Sequence, residues 1–235
     1  MFYASPKLSK PGPTERRKVV FPQAVNSNPG QQGSLFTIGH SNLELRDFLG
    51  VLVRHEIKAV CDVRSRPGSF RFPQFNREPL GAQLKAAKIR YDLFGHQLGG
   101  RPLDPQYYFP NGLVDYASRR RAGDFLEALG RAIAVSRECR TTIMCAEEDP
   151  LHCHRFLLIG PVLVAQGVVP VHLRRSGAME SQRETEDRLL ELHGFADVTS
   201  DSLFSHGREA ALEDALRLQA ERYAFRTSPE AIEYF

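Results

Sequence analysis

Short, nearly unbroken apolar runs recur along this chain, each set apart from the next by residues with helical spacing. Leu35-Phe-Thr-Ile38, Ile57-Lys-Ala-Val-Cys-Asp-Val63, Thr141-Thr-Ile-Met144 and Val168-Val-Pro-Val-His-Leu173 are too short for helices and read as strands, with Arg90-Tyr-Asp-Leu-Phe94 a weaker fifth. Runs of this kind suit strands buried on both faces of a parallel sheet. Leu45, Phe48, Leu49, Leu52 and Val53 repeat at helical spacing, as do Leu80, Leu84 and Ala87 behind Pro79, and Phe125, Leu126, Leu129 and Ile133 behind Asp124. A polar helix is expected over about 179–193, and another within 203–225 carrying Leu212 and Leu216. Five strands separated by helices predict a three-layer α/β fold, a mostly parallel sheet flanked by helices.

The 235 residues suffice for one good core. The reading is a basic tail over 1–33, a single α/β domain over 34–226 and a short tail over 227–235. A formal net charge of +3 does not imply nucleic acid by itself. The cations are mostly arginine, which suits bidentate phosphate or carboxylate recognition. The N-terminus lacks the apolar core of a secretory leader, and no apolar run approaches a membrane span. A cytoplasmic protein with no membrane partner is expected, its four cysteines free thiols.

The densest chemistry lies in Cys145-Ala-Glu-Glu-Asp-Pro-Leu-His-Cys-His-Arg155. It joins a strand to an apolar run, 156–164, long enough for a helix whose start is signalled by Asp149-Pro150. Two thiols, two imidazoles and a guanidinium therefore collect where a strand's carboxyl end meets a helix's amino end. Open α/β sheets bind ligands there, and free N–H groups favour an anion. His40 and Ser41 follow the first strand, while Asp62 and Arg64 close the second. Parallel strands bring all three groups to one edge of the sheet.

Five motifs in order, Thr37-Ile-Gly-His-Ser-Asn42, Asp62-Val-Arg-Ser65, Pro73-Gln-Phe-Asn76, Leu98-Gly-Gly-Arg101 and the Cys145–Arg155 stretch, resemble the DUF488 family of bacterial and archaeal proteins. The likeness covers roughly residues 35–226, including Gln219-Ala-Glu-Arg222. It implies a soluble α/β domain in which these motifs converge, and it supplies no reaction. One stretch departs from the family pattern: Phe70 stands where an arginine is usual and Phe72 where an asparagine is usual, with Arg71 one position on.

Several roles stay open. Arg64, Arg155 and Arg71 are candidates to clamp a phosphate, with Ser41 and His154 beside them. The competing reading is an Asp62–Arg155 ion pair bracing the strand ends. His40 is a candidate acid or base assisted by Asp62. Cys153, near a helix start between two histidines, and Cys145, at a strand end, are candidates for thiol chemistry; Cys145 also reads as a buried structural thiol. The cysteine-phosphatase signature fails, because Asp149 occupies the position before Arg155 where the nucleophile belongs.

No metal set is assigned. His152, Cys153 and His154 would diverge by about 100° each on a helix, so without irregular backbone at most two share an ion. No Cys-x-x-Cys pair completes a tetrahedron. Cys145, His40 and one of the three is the remaining arrangement. The cofactor is unknown. Glu147, Glu148 and Asp149 are acid/base candidates, with Asp149 read as a helix cap. The loop aromatics Phe70, Phe72, Phe75, Tyr107, Tyr108 and Phe109 either stack bases or fold their own loops onto the sheet. Arg119-Arg-Arg121 reads as a solvated turn. Three classes of function follow: an enzyme acting on a phosphate-bearing ligand (a nucleotide or nucleic acid), a non-catalytic nucleotide- or nucleic-acid-binding module, and a redox- or metal-responsive regulator built on the Cys/His cluster.

Overall fold

The computed structural model describes residues 35–195 and 205–228. The expected basic tail over 1–33 and most of the C-terminal tail lie outside the described residues. Strands β1 (Leu35–Gly39), β2 (Ala59–Asp62), β3 (Arg90–Leu93), β4 (Thr141–Cys145), β5 (Val171–Leu173) and β6 (Met179–Ser181) form one sheet in the order β3-β2-β4-β1-β5-β6. The first five are parallel, and β6 runs antiparallel to β5. The five parallel strands match the sequence expectation, and the sixth corrects it. Residues 179–181, expected to open a helix, form an edge strand instead. Ser181 then starts the helix through a capping box with Glu184.

Helices α1 (Leu45–Arg54) and α2 (Arg77–Ala86) cover one face of the sheet. There Phe36, Ile38, Val60 and Met144 meet Phe48, Leu52, Leu80 and Leu84. After the short helices α3 (Gly95–Leu98) and α4 (Tyr116–Arg119), the long α5 (Gly123–Glu138) covers the other face, joined by α6 (Gly160–Ala165), α7 (Gln182–Leu192) and α8 (Ser205–Tyr223). There Cys61, Val63, Ile143 and Cys145 meet Phe125, Leu129, Phe156, Leu189 and Leu216. Alternate residues of one strand serve opposite cores, as the two-residue period of a strand requires. Among the described residues no helix is long and apolar enough to cross a membrane.

The run expected as one helix after Asp149 is broken. Asp149 caps only a single 3-10 turn (Pro150–His152), its carboxylate accepting from Leu151 N at 3.0 Å. Cys153 is extended, a π-helical turn covers Arg155–Ile159, and α6 follows. Pro161 explains part of this. It has no N–H, so the carbonyl of Leu157 loses the donor a regular helix would provide. A guanidinium N–H of Arg120 takes that place. The arginine run at 119–121 is thus not a solvated turn. Arg119 is buried and forks onto Asp124 at 2.6 and 2.7 Å.

If Arg120 replaces the missing helical donor, Arg120→Met should lower stability by about 2 kcal/mol, the cost of an unpaired buried carbonyl that had a charged partner. Pro161→Ala returns an N–H. Urea unfolding of the double mutant should then show coupling above about 0.5 kcal/mol. Strict additivity would refute the assignment.

Candidate functional site

The pairing of β2, β4 and β1 continues past the strands themselves. His40 N donates to Cys145 O at 3.0 Å, Ser41 N to Ala146 O at 2.8 Å and Val63 N to Met144 O at 3.0 Å. Three of the sequence motifs are therefore held side by side by backbone hydrogen bonds. Gly39 makes this possible: a Cβ there would stand 1.6 Å from the Glu147 carbonyl oxygen. Any other residue would push the loop after β4 off the end of β1.

On one side lies a charged chain. Arg64 reaches both oxygens of Asp62, its terminal nitrogen at 2.6 Å, and Tyr91 donates its hydroxyl to the same carboxylate at 2.6 Å. The remaining guanidinium nitrogen lies 3.1 Å from His40 Nε2. An arginine only donates, so Nε2 is the accepting nitrogen and Nδ1–H donates to Ser41 O at 2.9 Å. The ring stacks on Phe75 at 4.2 Å between centroids, which gives the Pro73-Gln-Phe-Asn76 motif a physical task. Burial, then the neighbouring Arg64 charge, lowers the His40 pKa to about 4.

Arg155 lies elsewhere than either sequence reading placed it. It is fully buried, and Asp62 pairs with Arg64 instead. The Arg155 guanidinium donates to the carbonyls of Glu147 at 2.5 Å and Glu148 at 2.7 Å, and to Thr37 Oγ1 at 3.3 Å. It pins the loop after β4 to the middle of β1. Among the described residues no carboxylate pairs with it.

On the other side is a thiol cluster. Cys145 Sγ and Cys153 Sγ lie 3.0 and 3.1 Å from one oxygen of Glu147, and 3.5 and 4.0 Å from His154 Nδ1. His154 Nε2 donates to Val63 O at 3.0 Å. Burial opposes ionisation of Cys153, but the hydrogen bond from Cys145 and the charges of Arg155 and His154 outweigh it and hold this thiol below its usual range. Burial and the Cys153 charge push Cys145 up. The neighbouring acids are engaged differently: Glu148 pairs with Arg174 at 2.8 Å, and Asp149 with Arg188 at 2.7 Å. His152 turns away and stacks on Tyr223.

An open cavity of about 410 Å³ lies over these strand ends, lined by His40, Ser41, Asn42, Arg71, Phe72, Ala146 and Glu147. It gathers the acid/base candidate His40 with Ser41 and Arg71 from among the expected ligand residues. Asp62 and Arg64 stand behind His40. Cys145, Cys153 and Arg155 are buried and do not line it. Arg71 reaches the cavity while Phe70 is fully exposed, so position 71 supplies the cation there. Its guanidinium sits 5.4 Å over the Phe72 ring and has no carboxylate partner among the described residues. Glu147, which touches both the cavity and the thiols, gained no special weight from sequence, because it is one of three consecutive acids. Tyr91 carries no sequence signal; only the β2–β3 pairing brings it to Asp62.

Residues 44–160 match the family model described as domain of unknown function DUF488. The chain belongs to the DUF488 family. Comparison with curated proteins and with solved structures found no match. The matched span of the DUF488 domain ends at Gly160, just past the turn of Arg155–Ile159, so it includes Cys145, Glu147, Cys153 and His154 but leaves out β1, His40 and Ser41.

Two measurements check this description of the DUF488 site. Arg155→Met strips the partners from two carbonyls and should cost on the order of 3 kcal/mol in chemical denaturation, whereas the exposed Arg71→Met should stay within about 0.5 kcal/mol of the parent. The second concerns pH. Burial, then the Arg155 charge, lowers the His172 pKa to about 3, and His40 lies at about 4. Both fall below the unfolded value of about 6.5, so the unfolded chain binds more protons in acid. Their stabilisation is complete above about pH 7 and declines as pH falls through about 6.5 toward these lower values, by up to about 1.4 kcal/mol per pH unit for each ring. The urea midpoint should drop between about pH 7 and pH 5, and His172→Gln should flatten that slope. A midpoint constant over this window would contradict the assignment.

Proposed function

We propose that this protein is an enzyme acting on a phosphate-bearing ligand seated in the open cavity at the strand ends. One observation carries the reading: a guanidinium without a carboxylate partner among the described residues, Arg71, and a neutral imidazole, His40, line the same cavity. A phosphate matches the planar fork of an arginine. Arg64 provides a second donor. Its outer nitrogen contacts His40 Nε2 while Asp62 holds the rest of the group. A ligand oxygen that captured this nitrogen would release Nε2 to accept a proton from the reacting group. Ser41, at φ 48, lines the same cavity in a conformation rare outside glycine and asparagine. Such strain at a cavity wall is common at ligand sites.

A non-catalytic binding module is the second reading, favoured by the fully exposed ring of Phe70 beside Arg71. Exposed aromatics next to arginines can stack bases of a single strand.

Thermal unfolding with inorganic phosphate, nucleotides, sugar phosphates and short single-stranded oligonucleotides separates these readings. A ligand at about 100 times its Kd adds about 2.7 kcal/mol to stability. A small phosphate compound should raise Tm, the rise should vanish in Arg71→Met, and His40→Gln should bind it without turnover. A response to oligonucleotides alone, steeply dependent on salt, supports the binding module instead. No response to any phosphate compound refutes both.

A further inference from the structure

We propose that Cys145, Glu147, Cys153 and His154 form a binding site for one tetrahedral transition-metal ion of the zinc class. The inference stands on this cluster alone and not on the enzyme reading. The four donor atoms, two Sγ, one Nδ1 and one carboxylate oxygen, all lie within 4.8 Å of one another. An ion about 2.3 Å from sulfur and about 2.0 Å from nitrogen or oxygen sets tetrahedral donors roughly 3.5 Å apart. The contacts of 3.0, 3.1, 3.5 and 4.0 Å bracket that spacing. Two sulfurs with an imidazole select zinc or a neighbouring transition metal over magnesium or calcium.

The surroundings are those of a ligand set. His154 donates Nε2–H to Val63 O, which leaves Nδ1 facing both sulfurs; once Nδ1 gives up its proton to a metal its lone pair is aimed between them, the outer-shell arrangement common to metal-binding histidines. Gly100 packs against that ring, where a Cβ would come within 2.9 Å. Arg155 N–H points at Cys153 Sγ from 3.4 Å. Charge also balances. Two thiolates and one carboxylate around a dication leave one net negative charge, and the buried Arg155 guanidinium beside them lacks a carboxylate partner among the described residues. The cluster as it stands directs two thiols at a single oxygen of an acid that has no ion-pair partner among the described residues, an arrangement a shared cation would explain.

Regular helical backbone would keep Cys153 and His154 apart. The extended Cys153 between a 3-10 turn and a π-helical turn lets these adjacent side chains converge. Glu147 also lines the cavity, so the oxygen ligand is the one that an incoming molecule can displace.

Elemental analysis of protein purified without chelator tests the site. The expected result is stoichiometric zinc, one ion per chain, replaceable by cobalt with tetrahedral ligand-field bands and thiolate-to-cobalt charge transfer. Cys153→Ser and His154→Ala should lose the ion, while Cys61→Ser and Cys139→Ser should keep it. If the cluster variants do not fold, thiol counting on the unaltered chain decides: zinc should protect two of the four cysteines from a thiol reagent, and a chelator should expose them. Substoichiometric metal, together with no zinc-dependent protection, overturns the proposal. So does a Cys145–Cys153 disulfide in a protein whose reduced form takes up no metal. Neither result alters the phosphate response expected of Arg71, so the two readings fail separately.

Discussion

Arg155 enters the interior just after Cys153 and divides its donors among the carbonyls of Glu147 and Glu148 and the hydroxyl of Thr37. Those contacts fasten the loop leaving β4 to the body of β1, and the rest of the site follows. With the loop held, Cys145 O and Ala146 O receive the N–H groups of His40 and Ser41, and the Glu147 side chain projects over the thiols. The positive charge lies in the core without an acidic partner among the described residues. A charge so placed is costly unless it is compensated. Backbone dipoles provide part of that compensation, and the ionisable thiol of Cys153 provides more.

The strand ends carry two chemistries on opposite sides of one loop. Asp62, Arg64 and His40 make a preorganised polar chain facing the cavity, each ring and fork held by a second contact: Tyr91 on Asp62, Phe75 on His40. The thiols face the core formed with α5 and α6. Glu147 touches both regions. The strand order accounts for this crowding. The chain runs from β1 outward to β2 and β3, then returns to insert β4 between β2 and β1. Three loops that carry polar residues thereby become neighbours at one edge, as in other open α/β sheets.

Much of this was legible beforehand. Five strands and most helices announced themselves because apolar spacing is a local property, recorded residue by residue. His40, Ser41, Asp62, Arg64 and Cys145 could be placed together because parallel strands must end on the same side. Each misplacement has its own cause. The helix expected after Asp149 ignored Pro161, whose missing N–H removes a donor from Leu157. Residues 179–181 looked helical because a three-residue edge strand has too few positions to show a period of two. Arg119 and Arg120 looked solvated because a run of arginines conceals that Asp124 and a distant carbonyl await two of them.

Sequence alone determined the layered α/β architecture, the family and the edge at which the polar motifs meet, since each rests on local spacing or on the direction of parallel strands. Only the tertiary structure decided which partner each charge takes. Asp62 went to Arg64, Arg155 to backbone carbonyls, and Glu147 to two thiols. Such choices turn on differences of an ångström or two between loops far apart in the chain, and hydrogen-bond and Coulomb energies fall steeply over that distance.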